Sequence, residues 1–142
     1  MAKNKWRIKE AVKLAEEAGL KALRTGAEAI LTEAIDETPI ETGTLRRSGT
    51  VTVGALPDGA RVFEAAEAGN EMKDAFPGQE GKEKAVYVSF NTPYARRQHE
   101  ELGYNHPLGG KAKYLEDPFN RNKNKVLKYA DKQVKKALEK AK

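Results

Sequence analysis

His99, His106, Glu100 and Glu101 are the side chains of this sequence whose types could support metal or acid–base chemistry. Imidazole nitrogens and carboxylate oxygens bind zinc, but a zincin helix carries its two histidines at positions i and i+4, whereas these two are more widely spaced and no third ligand is evident. Adjacent carboxylates on a helix point about 100° apart, so Glu100 and Glu101 would not face one substrate together. We therefore expect no metal and no cofactor. We expect His99 to lie on the buried side of a short helix and to hydrogen-bond a neighbouring backbone group or carboxylate.

The other common catalytic signatures are missing from the sequence. The chain contains no cysteine, and its two serines, Ser48 and Ser89, do not lie in a Gly-x-Ser-x-Gly elbow. Neither a GxxxxGK[ST] phosphate loop nor a GxGxxG motif occurs. These absences favour a protein that is not an enzyme, with a small enzyme that uses His99 and Glu100 as a rival hypothesis.

The length and the charge distribution limit the number of domains and the kinds of partner that the protein could bind. With 142 residues, we expect residues 1–142 to form a single domain. The net charge is +5, and residues 121–142 contain nine basic and two acidic side chains. Such a helix is either a solvated lysine-rich face or a surface for nucleic acid or an acidic protein, so a basic nucleic-acid-binding module is the alternative function. No apolar run approaches the roughly 20 residues that cross a bilayer, so we expect no membrane partner.

A long helix is predicted at each end of the chain. Over residues 1–35, apolar side chains recur every three or four positions; they are Ile8, Val12, Ala15, Leu23, Ala27, Ile30 and Ala34. A second strip of small residues would let another element approach this helix closely; it consists of Ala15, Gly19, Ala22, Gly26 and Ala29. Over residues 117–141, a C-terminal helix carries an apolar stripe that includes Val126 and Leu127. We expect both helices to pack on the sheet, with Leu23 and Leu127 buried.

The residues between these helices predict a small sheet. Residues 50–53, 60–65 and 85–90 have the composition and alternation of strands, and a turn at residues 57–59 joins the first two. Residues 68–83 combine glycine, proline and charge, so we expect an exposed loop there, and Pro93 opens a short helix over residues 93–102. With strands confined to residues 50–90, the element order predicts an α+β fold, a small, mostly antiparallel sheet packed by the long N- and C-terminal helices.

Two stretches of the sequence are more specific than its composition. The first is PIETGTLRRS at residues 39–48, of the form P-x-x-T-G-x-L-R-x-S. The second is TPYARRQHE at residues 92–100, followed by GKAKYLEDP at residues 110–118. Together with the alanine-rich first helix, this order resembles the minor capsid and tail-component proteins of long-tailed bacteriophages over roughly residues 20–140. The loop at residues 68–83 is longer than that pattern leads one to expect.

The resemblance implies a non-enzymatic structural protein of the virion. It implies a place at the neck, where the head connector meets the tail, in a homo-oligomeric ring assembled in the host cytoplasm. The implied partners are further copies of the chain, neighbouring connector and tail-tube or tail-terminator proteins, and packaged DNA in the channel.

The two motifs supply the candidate interface residues. These are Thr42, Gly43, Leu45, Arg46, Arg47, Tyr94, Arg96, Arg97, His99, Glu100, Tyr114 and Leu115. Gly43 suits a tight turn with positive φ, Leu45 is expected to fill the core, and Tyr114 with Leu115 to form an apolar anchor before the last helix. Residues 39–48 are either a helix-to-strand corner or a contact surface, and residues 94–100 serve either internal packing or a ring interface.

The arginines of these motifs are the charged candidates for an interface between subunits. We expect Arg46 and Arg47 to reach outward to carboxylates. Together with Arg96 and Arg97 they are expected to meet an acidic loop of the next subunit. That loop is represented by Glu71, Asp74, Glu80 and Glu83.

Overall fold

The computed structural model describes residues 2–40, 43–73, 83–104, 106 and 109–140. The helices and strands follow in the order α1 (Ala2–Glu37), α2 (Thr44–Arg47), β1 (Gly49–Val53), α3 (Gly59–Glu67), β2 (Val86–Phe90), α4 (Ala95–Glu100) and α5 (Glu116–Lys140). The long terminal helices and the antiparallel strand pair confirm the α+β class. The short helix α4 covers fewer residues than the predicted 93–102, because Tyr94 is its N-cap and Glu101 already has an extended backbone.

The strands β1 and β2 form an antiparallel pair in which Gly49 lies opposite Phe90 and Val53 opposite Val86. The face of this pair is covered by α1, whose Ala27 and Leu31 pack with Val51 in the first core cluster. On its other edge, β1 donates a 2.7 Å hydrogen bond from the amide of Val51 to the carbonyl of Lys73. This contact anchors the described start of the loop predicted at residues 68–83, whose residues 74–82 lie outside the described part of the chain.

The strand predicted at residues 60–65 is wrong, because these residues belong to helix α3. Its buried side chains, Val62 and Ala66, are spaced i, i+4, which is the helical interval, and alternation over a short segment fits either structure. Asp58 caps the helix by accepting a hydrogen bond from the amide of Arg61 at 3.4 Å. Residues 57–59, which were predicted to form a turn between two strands, therefore mark the start of a helix.

The two long helices pack along each other through the strip of small residues. An added Cβ atom on Gly26 would lie 2.7 Å from Cγ2 of Val126, and one on Gly19 would lie 3.5 Å from Cγ2 of Val134. The first distance is too short for two carbon atoms, so the absence of a side chain at Gly26 is what allows α5 to come this close. The expected close approach is confirmed, and its partner is α5.

Four apolar residues assigned to the buried stripes are exposed; they are Ile8, Val12, Leu127 and Leu138, the last of which lies near the end of the stripe on α5. Leu127 is 60% exposed, because it lies about 100° around α5 from Val126, which faces α1. Ile8 and Val12 are also mostly exposed. Because α5 runs antiparallel to α1, with Val126 at Gly26 and Val134 at Gly19, its described part ends near the level of Val12 and leaves the first turns of α1 uncovered. Leu23 is half-buried.

Candidate functional site

The corner around α4 is held in place by Tyr114. This side chain is buried, and its hydroxyl donates a 2.8 Å hydrogen bond to the carbonyl of Ala95. Its ring meets those of Phe90 and His99 edge-on, with ring centres 5.0 and 5.1 Å away. Burial raises the pKa of the Tyr114 phenol well above its usual value, so the hydroxyl remains a donor. With Leu45 buried in the same cluster, the expected anchoring roles of Leu45 and Tyr114 are realised, and Leu115 packs against their edge.

His99 connects α4 to the start of α5. Its Nε2 atom accepts a 3.2 Å hydrogen bond from the amide of Glu116, so Nδ1 carries the hydrogen and donates to Glu100 Oε1 at 2.7 Å. Lys113 donates to the other oxygen of Glu100 at 2.5 Å, and this contact, followed by that of His99, lowers the pKa of Glu100. Both ring nitrogens are therefore engaged, as expected for a histidine that orders a corner. Among the described residues, no group of three or more His, Asp or Glu side chains is placed to hold a metal ion.

The glycine of the first motif, Gly43, forms the tight turn with positive φ that the sequence predicts. Gly43 has φ of +80° and precedes α2, and an added Cβ atom would lie 2.7 Å from Nη1 of Arg47. Thr42 lies outside the described residues. The first motif therefore builds a helix-to-strand corner, and its leucine points into the core.

Arg46 and Arg47 donate to backbone carbonyls and pair with no carboxylate in the described part of the chain, so the expectation that they reach outward to carboxylates is wrong there. Arg46 donates to the carbonyls of Asp36 at 2.9 Å and Thr38 at 2.7 Å, at the end of α1. Arg47 donates to the carbonyl of Ala66 at 2.8 Å, in the last turn of α3. The physical reason is that the last carbonyls of a helix lack partners within the helix, and a guanidinium group supplies donors for them. Both arginines are therefore used inside the subunit.

Replacing Arg46 with lysine is expected to lower the free energy of unfolding by about 1–3 kcal/mol, because an ammonium group cannot serve both carbonyls in the planar geometry of the guanidinium. The matched control is Arg96→Lys on exposed α4, which should stay within about 0.5 kcal/mol. Urea unfolding followed by circular dichroism measures both. Equal effects of the two substitutions would contradict the role given to Arg46.

The second motif contributes the exposed part of the site, which we call the α4 corner and define as residues 94–104. Arg96 and Arg97 are exposed, and neither forms an ion pair with a described carboxylate. Tyr94 is 37% exposed, and Leu102 is 77% exposed. The sequence prediction missed Leu102 and Tyr104 as surface residues because it continued the short helix to residue 102. The helix ends at Glu100, and Leu102 and Tyr104 lie in the turn that follows, where the amide of Tyr104 donates to the carbonyl of Glu101 at 3.4 Å.

The comparisons with known proteins agree with the motifs. One protein-family profile matches residues 3–117, and it is described as "HK97-gp10_like: Bacteriophage HK97-gp10, putative tail-component". No curated protein and no solved structure matches the chain significantly. No helix in the described ranges is long and apolar enough to cross a membrane. Because the profile covers most of the chain, including both motifs, the protein belongs to the HK97-gp10-like family of bacteriophage tail components.

Proposed function

We propose that this protein is a structural component of the phage neck, where it joins or completes the head–tail interface as a homo-oligomeric ring. Membership of a tail-component family supports a structural role in the virion. The observation that carries the ring is the composition of the α4 corner. Its neighbours would be connector and tail-tube or tail-terminator proteins, and assembly would occur in the host cytoplasm.

The α4 corner has the composition of a protein–protein interface. Tyrosine and arginine are the residues that such interfaces enrich, and a few of them supply most of the binding energy. Here Tyr94, Arg96, Arg97, Leu102 and Tyr104 are exposed within one short segment. The cluster around Tyr114 holds α4 through Ala95 and His99, so the side chains on this helix can be presented without a large loss of conformational entropy on binding.

A ring requires that one patch of a subunit meet a different patch of the next, and the described acidic residues offer the second patch. Glu71 and Glu83 are both exposed, whereas Asp74 and Glu80 lie outside the described residues. Lys73 lies 3.4 Å from Glu71 and offsets part of its charge, and Glu83 accepts a hydrogen bond from Tyr87, so both carboxylates already have a partner within the subunit. We therefore assign the larger share of the contact energy to the tyrosines and Leu102 and a smaller share to the ion pairs.

Reversing both charges with Arg96→Glu and Arg97→Glu is expected to weaken ring assembly, most strongly at low salt, where screening is least. Exposed ion pairs contribute only about 0–1 kcal/mol each, so neither single reversal should abolish the ring. Light-scattering mass measurements at low and high salt test this directly. The control, Lys9→Glu with Lys13→Glu, makes the same charge change on exposed α1 positions and should assemble like the wild type.

The same variants also test whether the α4 corner serves the joining of heads to tails in the virion. Full-size rings formed by the double Arg96/Arg97 variant, together with normal joining of heads to tails, would show that the α4 corner is not the interface. A wild-type chain that remains monomeric, both alone and with its neck neighbours, would contradict the ring itself.

A further inference from the structure

One face of α5 is a row of exposed lysines. Lys125, Lys128, Lys132 and Lys136 recur at intervals of three and four residues, which places them on the same side of the helix. All four are exposed, and none pairs with a carboxylate of the described chain. The other two cations on this side are already paired, Arg121 with Glu37 at 2.8 Å and Lys135 with Asp131 at 3.0 Å. We call the four unpaired residues the lysine row.

Most of the lysine row lies on the side of α5 that faces away from α1, and Lys136 lies at the edge of the groove between the two helices. The opposite side of α5, which carries Val126 and Val134, packs on α1. The four ammonium groups are therefore displayed on a rigid, straight support over about 16 Å of helix. Lys125, Lys128 and Lys132 stand on the open side of the helix, whereas Lys136 also lines the groove between α1 and α5, and the acidic Glu139 follows it on the same face.

A line of unpaired lysines fits the phosphate backbone of duplex DNA better than it fits a protein. The cores of protein–protein interfaces are depleted in lysine, whereas protein–DNA interfaces are polar and strongly positive. A duplex presents one negative charge per about 1.7 Å of its axis, so the row spans about ten phosphate charges. Lysines act as point charges and do not provide the planar forks that read bases, so the contact would be independent of sequence. Tyr129 lies beside the row and is 42% exposed, but a single ring does not provide the series of stacking platforms that a single strand needs.

We propose that the lysine row on α5 is a docking surface for the backbone of duplex DNA. The row lies beyond residue 117, where the family match ends, so it adds to the family resemblance. It does not depend on the ring, because a single subunit carries the whole row.

The test is titration of a labelled duplex of arbitrary sequence with the purified full-length chain, followed by fluorescence anisotropy at several salt concentrations. The triple variant Lys125→Gln, Lys128→Gln and Lys132→Gln removes three of the four charges. If each lysine neutralises one phosphate, the slope of log K against log salt should become shallower by about 2.7, and affinity at 0.1 M salt should fall by roughly 100-fold or more. Glutamine preserves helix propensity, so the circular dichroism spectrum and the melting temperature should not change.

The matched control is Lys9→Gln, Lys13→Gln and Lys21→Gln, which removes the same charge from exposed positions of α1. It should leave both the affinity and the salt slope close to the wild-type values. Equal losses in the two triple variants would show a diffuse charge effect and overturn the proposal. So would the absence of saturable duplex binding by the wild type at about 50 mM salt, where phosphate contacts are strongest. These readouts are independent of ring mass, so each proposal can fail alone.

Discussion

Replacing Gly26 with alanine is expected to destabilise the protein by about 1–3 kcal/mol, although alanine is the better helix former by about 1 kcal/mol. The added methyl group would overlap the side chain of Val126. Valine is branched at Cβ and has one strongly preferred rotamer in a helix, so it cannot turn aside cheaply. The two helices would have to separate along their contact.

Gly19 provides the matched control on the same face of α1. An alanine there would meet only Val134, at the ordinary contact distance of 3.5 Å, so Gly19→Ala should stabilise the fold by up to about 1 kcal/mol. Thermal or urea unfolding of the two variants should therefore give changes of opposite sign. Adding Val126→Ala should recover part of the loss at Gly26. Stabilisation by both alanines would contradict the helix spacing described above.

Replacing Tyr114 with alanine is expected to cost about 3–5 kcal/mol, which is a large part of the total stability of a domain. The substitution removes the ring that packs against Phe90, His99 and Leu45 and leaves a cavity below α4. Tyr114→Phe keeps the ring and loses only the hydrogen bond to the carbonyl of Ala95, so it should cost about 0.5–1.5 kcal/mol.

The control for Tyr114 is Tyr104→Ala, because Tyr104 is partly exposed and belongs to the α4 corner. It should change the free energy of unfolding by less than about 1 kcal/mol while weakening ring assembly. Urea unfolding and light scattering separate the two effects. A Tyr114→Ala variant as stable as Tyr104→Ala would show that the cluster does not support the corner.

The features that could be predicted from the sequence are those with a long period or a strict local geometry. The two terminal helices repeat their pattern over many turns. Gly43 was predicted from the need for a positive φ, and the structure gives it φ of +80°. The strip containing Gly19 and Gly26 correctly indicated the close approach of another helix or sheet, because small residues at one face have few other uses in a helix interior.

The features that could not be predicted depend on tertiary contacts. Residues 60–65 alternate like a strand, but a cap at Asp58 and the burial of Val62 and Ala66 decide for a helix. The charge of Arg46 suggests a carboxylate partner, yet its donors serve the carbonyls at the end of α1, which nothing in the sequence marks as available. Leu127 was assigned to the buried face of α5 because periodicity fixes relative positions around a helix and leaves the direction of the neighbouring helix undetermined.

The pairing of α1 with α5 joins two elements that are far apart in the order of synthesis. At about 5–20 residues per second, roughly 5–20 s pass between the synthesis of the end of α1 and that of the end of α5. Throughout that time the groove at Gly26 lacks Val126, the residue of α5 that fills it in the folded protein. Isolated helices are marginal in water, and the two glycines weaken this one further, so α1 should become fully ordered only after translation has delivered α5. A nascent or truncated chain would expose the same groove to the helices of other chains.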